Sequence, residues 1–163
     1  MLNALFATTL GKAVAIFILS MVPVLELRGA IPVGVAHDLP FLENYILCCV
    51  GNMVPVPFII LFVRKIFQWM KKKGILHRAI TWLENHVLKK EYMLRKYSLI
   101  GLCILVAVPL PGTGAWTGAM LAGLLNMRMR QALPAIFLGV LIAGLIVCAI
   151  SYGFVGVVGA FGL

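Results

Sequence analysis

The stretch YSLIGLCILVAVPLPGTGAWTGAMLAGLLNM, Tyr97 to Met127, is uncharged and long enough to cross a membrane, yet Pro109-Leu110-Pro111-Gly112-Thr113-Gly114 sits near its centre. Two prolines and two glycines in six residues break a helix: each Pro removes a backbone donor, and each Gly loses more entropy on ordering than any other residue. What remains is two arms of about a dozen residues, each about 18 Å long, against about 30 Å of hydrocarbon. The stretch is predicted to enter a membrane and turn back. Arg128 and Arg130, just beyond it, support this. On a crossing segment they would lie opposite the basic loop that precedes it; on a returning one they rejoin that loop on the positive, cytoplasmic side.

Three more apolar stretches flank this one. Ala13–Ala36 has the same broken character, with Pro23 and Pro32 bracketing Glu26-Leu27-Arg28-Gly29. It is expected to form a second re-entrant hairpin, opening to the outside near His37, Asp38 and Glu43. Tyr45–Val63 fits one span, with Asn52, Pro55 and Pro57 placed to kink it. Gln131–Leu163 fits one span to about Tyr152, followed by a Gly-rich tail. The expected order is hairpin and span (1–63), basic loop (64–96), hairpin and span (97–163). The halves enter from opposite sides, the inverted-repeat plan of many transporters. The predicted fold is therefore a single all-α membrane domain with two re-entrant hairpins, two spanning helices and a cytoplasmic amphipathic helix.

Composition agrees. Of 163 residues, 63% are hydrophobic and 12% charged, against about a quarter charged in a soluble domain. The net charge of +9 suggests a polyanion binder until it is mapped. Ten basic residues, from Arg64 to Lys96, face only Glu84 and Glu91 in that interval. A basic block between apolar stretches sets orientation and attracts anionic headgroups, so nucleic acid is not the expected partner. Within it, Ile75, Ala79, Leu83 and Val87 recur at helical spacing, an amphipathic interfacial helix with Trp82 as anchor. Trp69, Tyr92 and Tyr97 suit the aromatic belt. Cys48, Cys49, Cys103 and Cys148 lie in apolar stretches without metal-ligand spacing, and His37, His77 and His86 fall in loops. No cofactor, metal or nucleophile–base constellation is evident, and no enzymatic activity is expected.

Irregular backbone at membrane depth must be buried in protein or line a cavity, so the two tips are expected to meet around a polar site. Glu26 and Arg28 are the only charges inside the apolar blocks. Each costs about 2.5–3.5 kcal/mol at the centre of a helix on insertion scales. Two apart, they pair directly on an extended tip; on a helix each needs another partner. One alternative is a salt bridge that only holds the tip. The other is a substrate site, with Arg28 on a phosphate-like group and Glu26 carrying a proton, as desolvated carboxylates can. In the second tip, Gly112 and Gly114 allow close backbone approach, Thr113 and Thr117 add hydroxyls, and N–H groups at the start of the returning helix attract an anion. Packing of small residues is the competing reading there. Trp116 reads as a packing residue, and Asn52 as a polar group facing the hairpins.

Glu26-Leu27-Arg28-Gly29-Ala30-Ile31-Pro32 together with Pro109-Leu110-Pro111-Gly112-Thr113-Gly114-Ala115-Trp116-Thr117-Gly118-Ala119 resembles the small multidrug export protein family. That family is similar to the broader DedA/VTT superfamily, with opposed re-entrant hairpins and links to lipid scrambling and polyprenyl-phosphate recycling. The resemblance implies a small protein of the inner membrane. DedA sequences carry arginines in the second hairpin where this chain has Thr113 and Gly114, which moves headgroup binding to Arg28. The leading expectation is a transporter or flippase for a lipid-linked or amphipathic substrate, with Glu26, Arg28, Gly112, Thr113, Gly114, Thr117 and Asn52 as site residues. Alternatives are a proton-coupled multidrug exporter and a non-transporting scaffold, the latter expected to tolerate exchange of the two charges better. Small-residue faces at Gly139–Gly144 and Gly153–Gly159 offer homodimer contacts.

Overall fold

The computed structural model describes residues 8–72, 91–110 and 113–160. Among them every element is a helix: α1 (Thr9–Met21), α2 (Glu26–Ala36), α3 (Phe41–Met53), α4 (Pro55–Lys72), α5 (Glu91–Ala107), α6 (Ala115–Leu124) and α7 (Met129–Ala160). The predicted interfacial helix around Ile75–Val87 lies outside the described residues.

Local chemistry sets the boundaries. The Thr8 hydroxyl caps α1 by accepting from the Gly11 N–H at 3.2 Å. The helix stops because Val22, before Pro23, is extended (φ −72, ψ 130). Pro32 was expected to bound the first tip, but it lies inside α2. The break is Val22–Leu25, and Glu26 begins the returning helix. Pro109 ends the segment that follows α5, and α6 starts after Gly114. α5 begins at Glu91, six residues before the expected arm, so part of the anticipated loop is helical.

α2 and α6 end alike. Asp38 and Asn126 both adopt left-handed backbone, φ 59 and 50. The Leu39 N–H reaches the Gly34 carbonyl and the Met127 N–H reaches the Ala122 carbonyl, both at 3.0 Å, closing the same C-terminal motif. Each end also receives a cation, the favourable sign at a helix C-terminus. Lys12 donates to the His37 carbonyl at 2.9 Å, and Arg64 donates to the Met127 carbonyl.

Among the described residues two segments are long and apolar enough to span a membrane: Phe41–Met70, 30 residues, and Met129–Phe154, 26 residues. The first is α3 and α4 joined at Val54, where Pro55 has no N–H to continue the ladder. α1, α2 and α6, with 13, 11 and 10 residues, would reach about 20 Å at most. Two helices followed by a longer apolar segment occur twice, with α5, at 17 residues, longer than its counterpart α1. α2 packs on α7 of the other half, and α6 packs on α4 of the other half. The core is thin and rich in small residues: Ile16, Ile31, Ile60, Leu102, Ile136 and Val140 are fully or nearly fully buried among Ala30, Ala115, Ala119, Ala122, Ala132 and Ala143. Close approach makes this work. A Cβ on Gly118 would come within 2.6 Å of the Val106 side chain, and one on Gly123 within 2.9 Å of Val63. The outer surface is greasy, with Phe58 and Phe154 each 70% exposed, as lipid contact requires.

One expectation about small residues is corrected. Gly139 packs on Val106 and the Cys103 carbonyl, and Gly144 on Tyr45 and Cys49. The Gly139–Gly144 face is thus used inside the chain, where closely packed helices needed it, and is not free for a second copy. Gly153 has nothing within 4 Å.

Candidate functional site

The tips of the two hairpins meet. Glu26, at the start of α2, is only 5% exposed and takes a left-handed backbone, φ 48, which costs a non-glycine residue of order 1–3 kcal/mol. That conformation presents its carboxylate to the first turn of α6. The Trp116 N–H donates to Glu26 Oε1 at 3.2 Å. At Gly114, φ is 145 and an added Cβ would overlap the same carboxylate. The site therefore requires glycine twice over, for the backbone angle and for the space. An anion was expected at the N-terminus of α6; the anion found there is the protein's own Glu26.

Arg28 completes the contact two residues on. Its guanidinium donates to the Thr113 carbonyl and, at 3.1 Å, to Thr113 Oγ1. That hydroxyl's one hydrogen is in turn shared between the carbonyls of Val108 at 2.9 Å and Leu110 at 3.0 Å, which ties Thr113 to the end of α5. Thr113 thus accepts from Arg28, where a donor surface for substrate was expected. Neither charge takes the other as its hydrogen-bond partner. Glu26 accepts from a backbone N–H and Arg28 donates to a backbone carbonyl, both on the second tip. This follows from Glu26 and Arg28 lying two apart at the start of a helix, where their side chains diverge.

Beside this clasp lies a cleft of about 610 Å³, within the range of small-molecule sites. It is lined by Pro23, Val24, Leu25, Glu26, Arg28 and Gly29 from the first tip and by Pro109, Thr113 and Thr117 from the second. Val24, 88% exposed, and Leu110, 56% exposed, make its surroundings apolar. Glu26, Arg28, Thr113, Gly114 and Thr117 are thus brought together. Gly112 lies outside the described residues. Asn52 is fully buried and is not part of the cleft lining. That N–H groups at the start of α6 hold an anion was expected, but which of them does so, the Trp116 N–H, was not read from the sequence. Its only signal was its place in the first turn of a returning helix, since its side chain pointed to packing. Among the described residues no cluster of His, Cys, Asp and Glu could hold a metal ion.

No curated protein and no solved structure matches the chain. Residues 26–146 match the family described as Putative small multi-drug export protein, a range that opens on Glu26 and takes in α2, the second tip, all of Phe41–Met70 and most of Met129–Phe154. With two segments able to span a bilayer and this match over most of its length, the chain is a membrane protein and belongs to that small multidrug export family.

Proposed function

We propose that the protein is a multi-pass inner-membrane transporter that exports an amphipathic molecule with an anionic headgroup through the cleft between two re-entrant hairpins. It is read as a carrier and not as an enzyme. One observation carries the reading: the two charges of the first tip hold the backbone of the second through a few hydrogen bonds, at the edge of the cleft. Such a contact can open and reform. Arg28 uses one terminal nitrogen on Thr113, and a guanidinium has five N–H donors. The remainder suit a phosphate or carboxylate. The similar build of the two halves supports an inverted repeat with its site at the midplane, and the similarity of the small multidrug export family to the DedA/VTT superfamily suggests a lipid or lipid-linked substrate, polyprenyl phosphates included.

Glu26 is the natural point for proton coupling. Its charge is what the N-terminus of α6 holds, so a proton on the carboxylate weakens the clasp and favours opening. A cationic-drug exporter fits less well, since a cation would have to displace the Trp116 N–H from Glu26 while lying beside Arg28. The scaffold reading gains from the same bonds. Exchanging the two charges does not separate these readings, because it faces each side chain with a backbone group of the wrong sense. Transport does separate them. Full-length protein in proteoliposomes should move tail-labelled phosphatidylglycerol between leaflets, Arg28→Ala should reduce that movement, and ethidium efflux should stay at the level of empty vesicles. Movement of neither phospholipids nor polyprenyl phosphates would overturn the lipid reading.

A further inference from the structure

Asn52 is fully buried, and neither its amide nitrogen nor its amide oxygen has a hydrogen-bond partner in the protein. The indole N–H of Trp116 is also buried and unpartnered. Asn44, equally buried on the same helix, shows the contrast. Its Nδ2 donates to the Ile31 carbonyl at 3.0 Å and to the Tyr152 hydroxyl at 3.2 Å, while its Oδ1 accepts from the Cys48 thiol at 3.5 Å. An unmet buried amide is destabilising, whereas leucine of similar size would carry no such penalty. Asn52 therefore stands where stability alone would place an apolar residue.

Register brings the two orphaned groups to within a turn of each other. α6 runs parallel to α4: Gly123 packs on Val63 and the Ile60 carbonyl, and farther along Arg64 holds the Met127 carbonyl. Counted seven residues back along both, Trp116 comes level with Val56 at the start of α4, and Asn52 lies one turn earlier, in α3 just before the break at Val54. Trp116 is also the residue whose backbone N–H holds Glu26. Together the groups offer donors from the amide and the indole and one amide acceptor. A hydroxyl is their complement, since it accepts two hydrogen bonds and donates one.

We propose that Asn52 and the Trp116 indole form a second polar station, which binds a hydroxyl of the transported amphiphile behind the clasp of Glu26 and Arg28. The inference rests on the cleft being a transport path. A resident water has the same hydrogen-bonding chemistry, and the experiment separates the two sources. Asn52→Leu in the full-length protein should melt at the same or a higher temperature in detergent. In proteoliposomes at about pH 9, where phosphatidic acid is largely the dianion, it should slow phosphatidylglycerol, which bears headgroup alcohol hydroxyls, roughly tenfold or more, while phosphatidic acid, which bears no alcohol hydroxyl, changes less than about twofold. Equal slowing of both lipids overturns the station by making Asn52 a shape residue. No slowing of either overturns it by leaving the amide to water. Binding is read separately in Trp69→Phe/Trp82→Phe protein, where Trp116 is the one remaining tryptophan. At the same pH dihexanoyl phosphatidylglycerol should shift its emission, dihexanoyl phosphatidic acid should not, and adding Asn52→Leu should abolish the shift. A shift in protein that moves neither lipid sinks the transport reading and supports the station. Protein that moves phosphatidylglycerol without any shift does the reverse, and absence of both overturns both.

Discussion

At Gly114 one residue serves two demands, since a Cβ there would both meet the Glu26 carboxylate and take on an unfavourable φ of 145. Gly114→Ala should lower the melting temperature, at a stability cost of about 1–3 kcal/mol, and should reduce transport more than Gly153→Ala, whose Cβ meets nothing within 4 Å. Glu26→Gln keeps an acceptor for the Trp116 N–H but removes the charge. It should cost about 1 kcal/mol or less, the scale of a helix-terminus interaction. In wild-type protein transport should rise as pH falls, because protonation neutralises the group that the α6 N-terminus holds. In Glu26→Gln that dependence should flatten, and a pH series on matched proteoliposomes measures both. Glu26 and Arg28 were legible as candidates because nothing else in the apolar blocks is charged. Their partners were not. A backbone N–H at Trp116 and a carbonyl at Thr113 leave no trace in residue type, and they lie some 90 residues away in sequence.

Among the elements, breaks were easier to read than continuations. Pro109 to Gly114 forbids helix by composition alone, so the end of α5 and the start of α6 followed directly. Pro32 misled because a proline in the second turn of α2 removes only the donor for the Arg28 carbonyl, while Leu27, Ala30 and Ile31 still bury their side chains and keep the helix. The matched ends of α2 and α6 give a test at this scale. Lys12→Met and Arg64→Met each remove a cation from a helix C-terminus while keeping the apolar stem, and each should cost about 0.5–2 kcal/mol in thermal unfolding. Arg64→Met should be the more damaging to assembly of the tips. Arg64 joins α4 to the chain just past α6, across the two halves, whereas Lys12 works within the first.

At the scale of the whole molecule, the paired order of helices predicts sidedness. Arg128 should be on the same face as Arg64, whose guanidinium reaches the carbonyl of Met127, and His37 and Asp38 should be on the other. In a background without Cys48, Cys49, Cys103 and Cys148, cysteines at 128 and 38 should react with an impermeant thiol reagent from opposite sides of the membrane. Labelling of both from one side would sink the inverted arrangement. The charge map carries the same expectation, since the basic block from Arg64 to Lys96 and the pair Arg128 and Arg130 belong on the positive face. The glycine faces did not announce their use: Gly139 and Gly144 resemble a dimer seam in sequence, and only the proximity of α5 and α3 shows them consumed within the chain.

If the protein exports as proposed, the carboxylate of Glu26 on the first turn of α6 also bears on how tightly it can hold its cargo. It is an intramolecular ligand, tethered beside the seat that an incoming anion would want, at an effective concentration that free substrate does not match. Apparent affinity then falls by the fraction of time the tips stand apart. Such a carrier saturates only at high substrate concentration and lets go readily once the clasp reforms. Weak binding would then be a built-in property of the tips, and a variant that holds the substrate more tightly should also turn over more slowly.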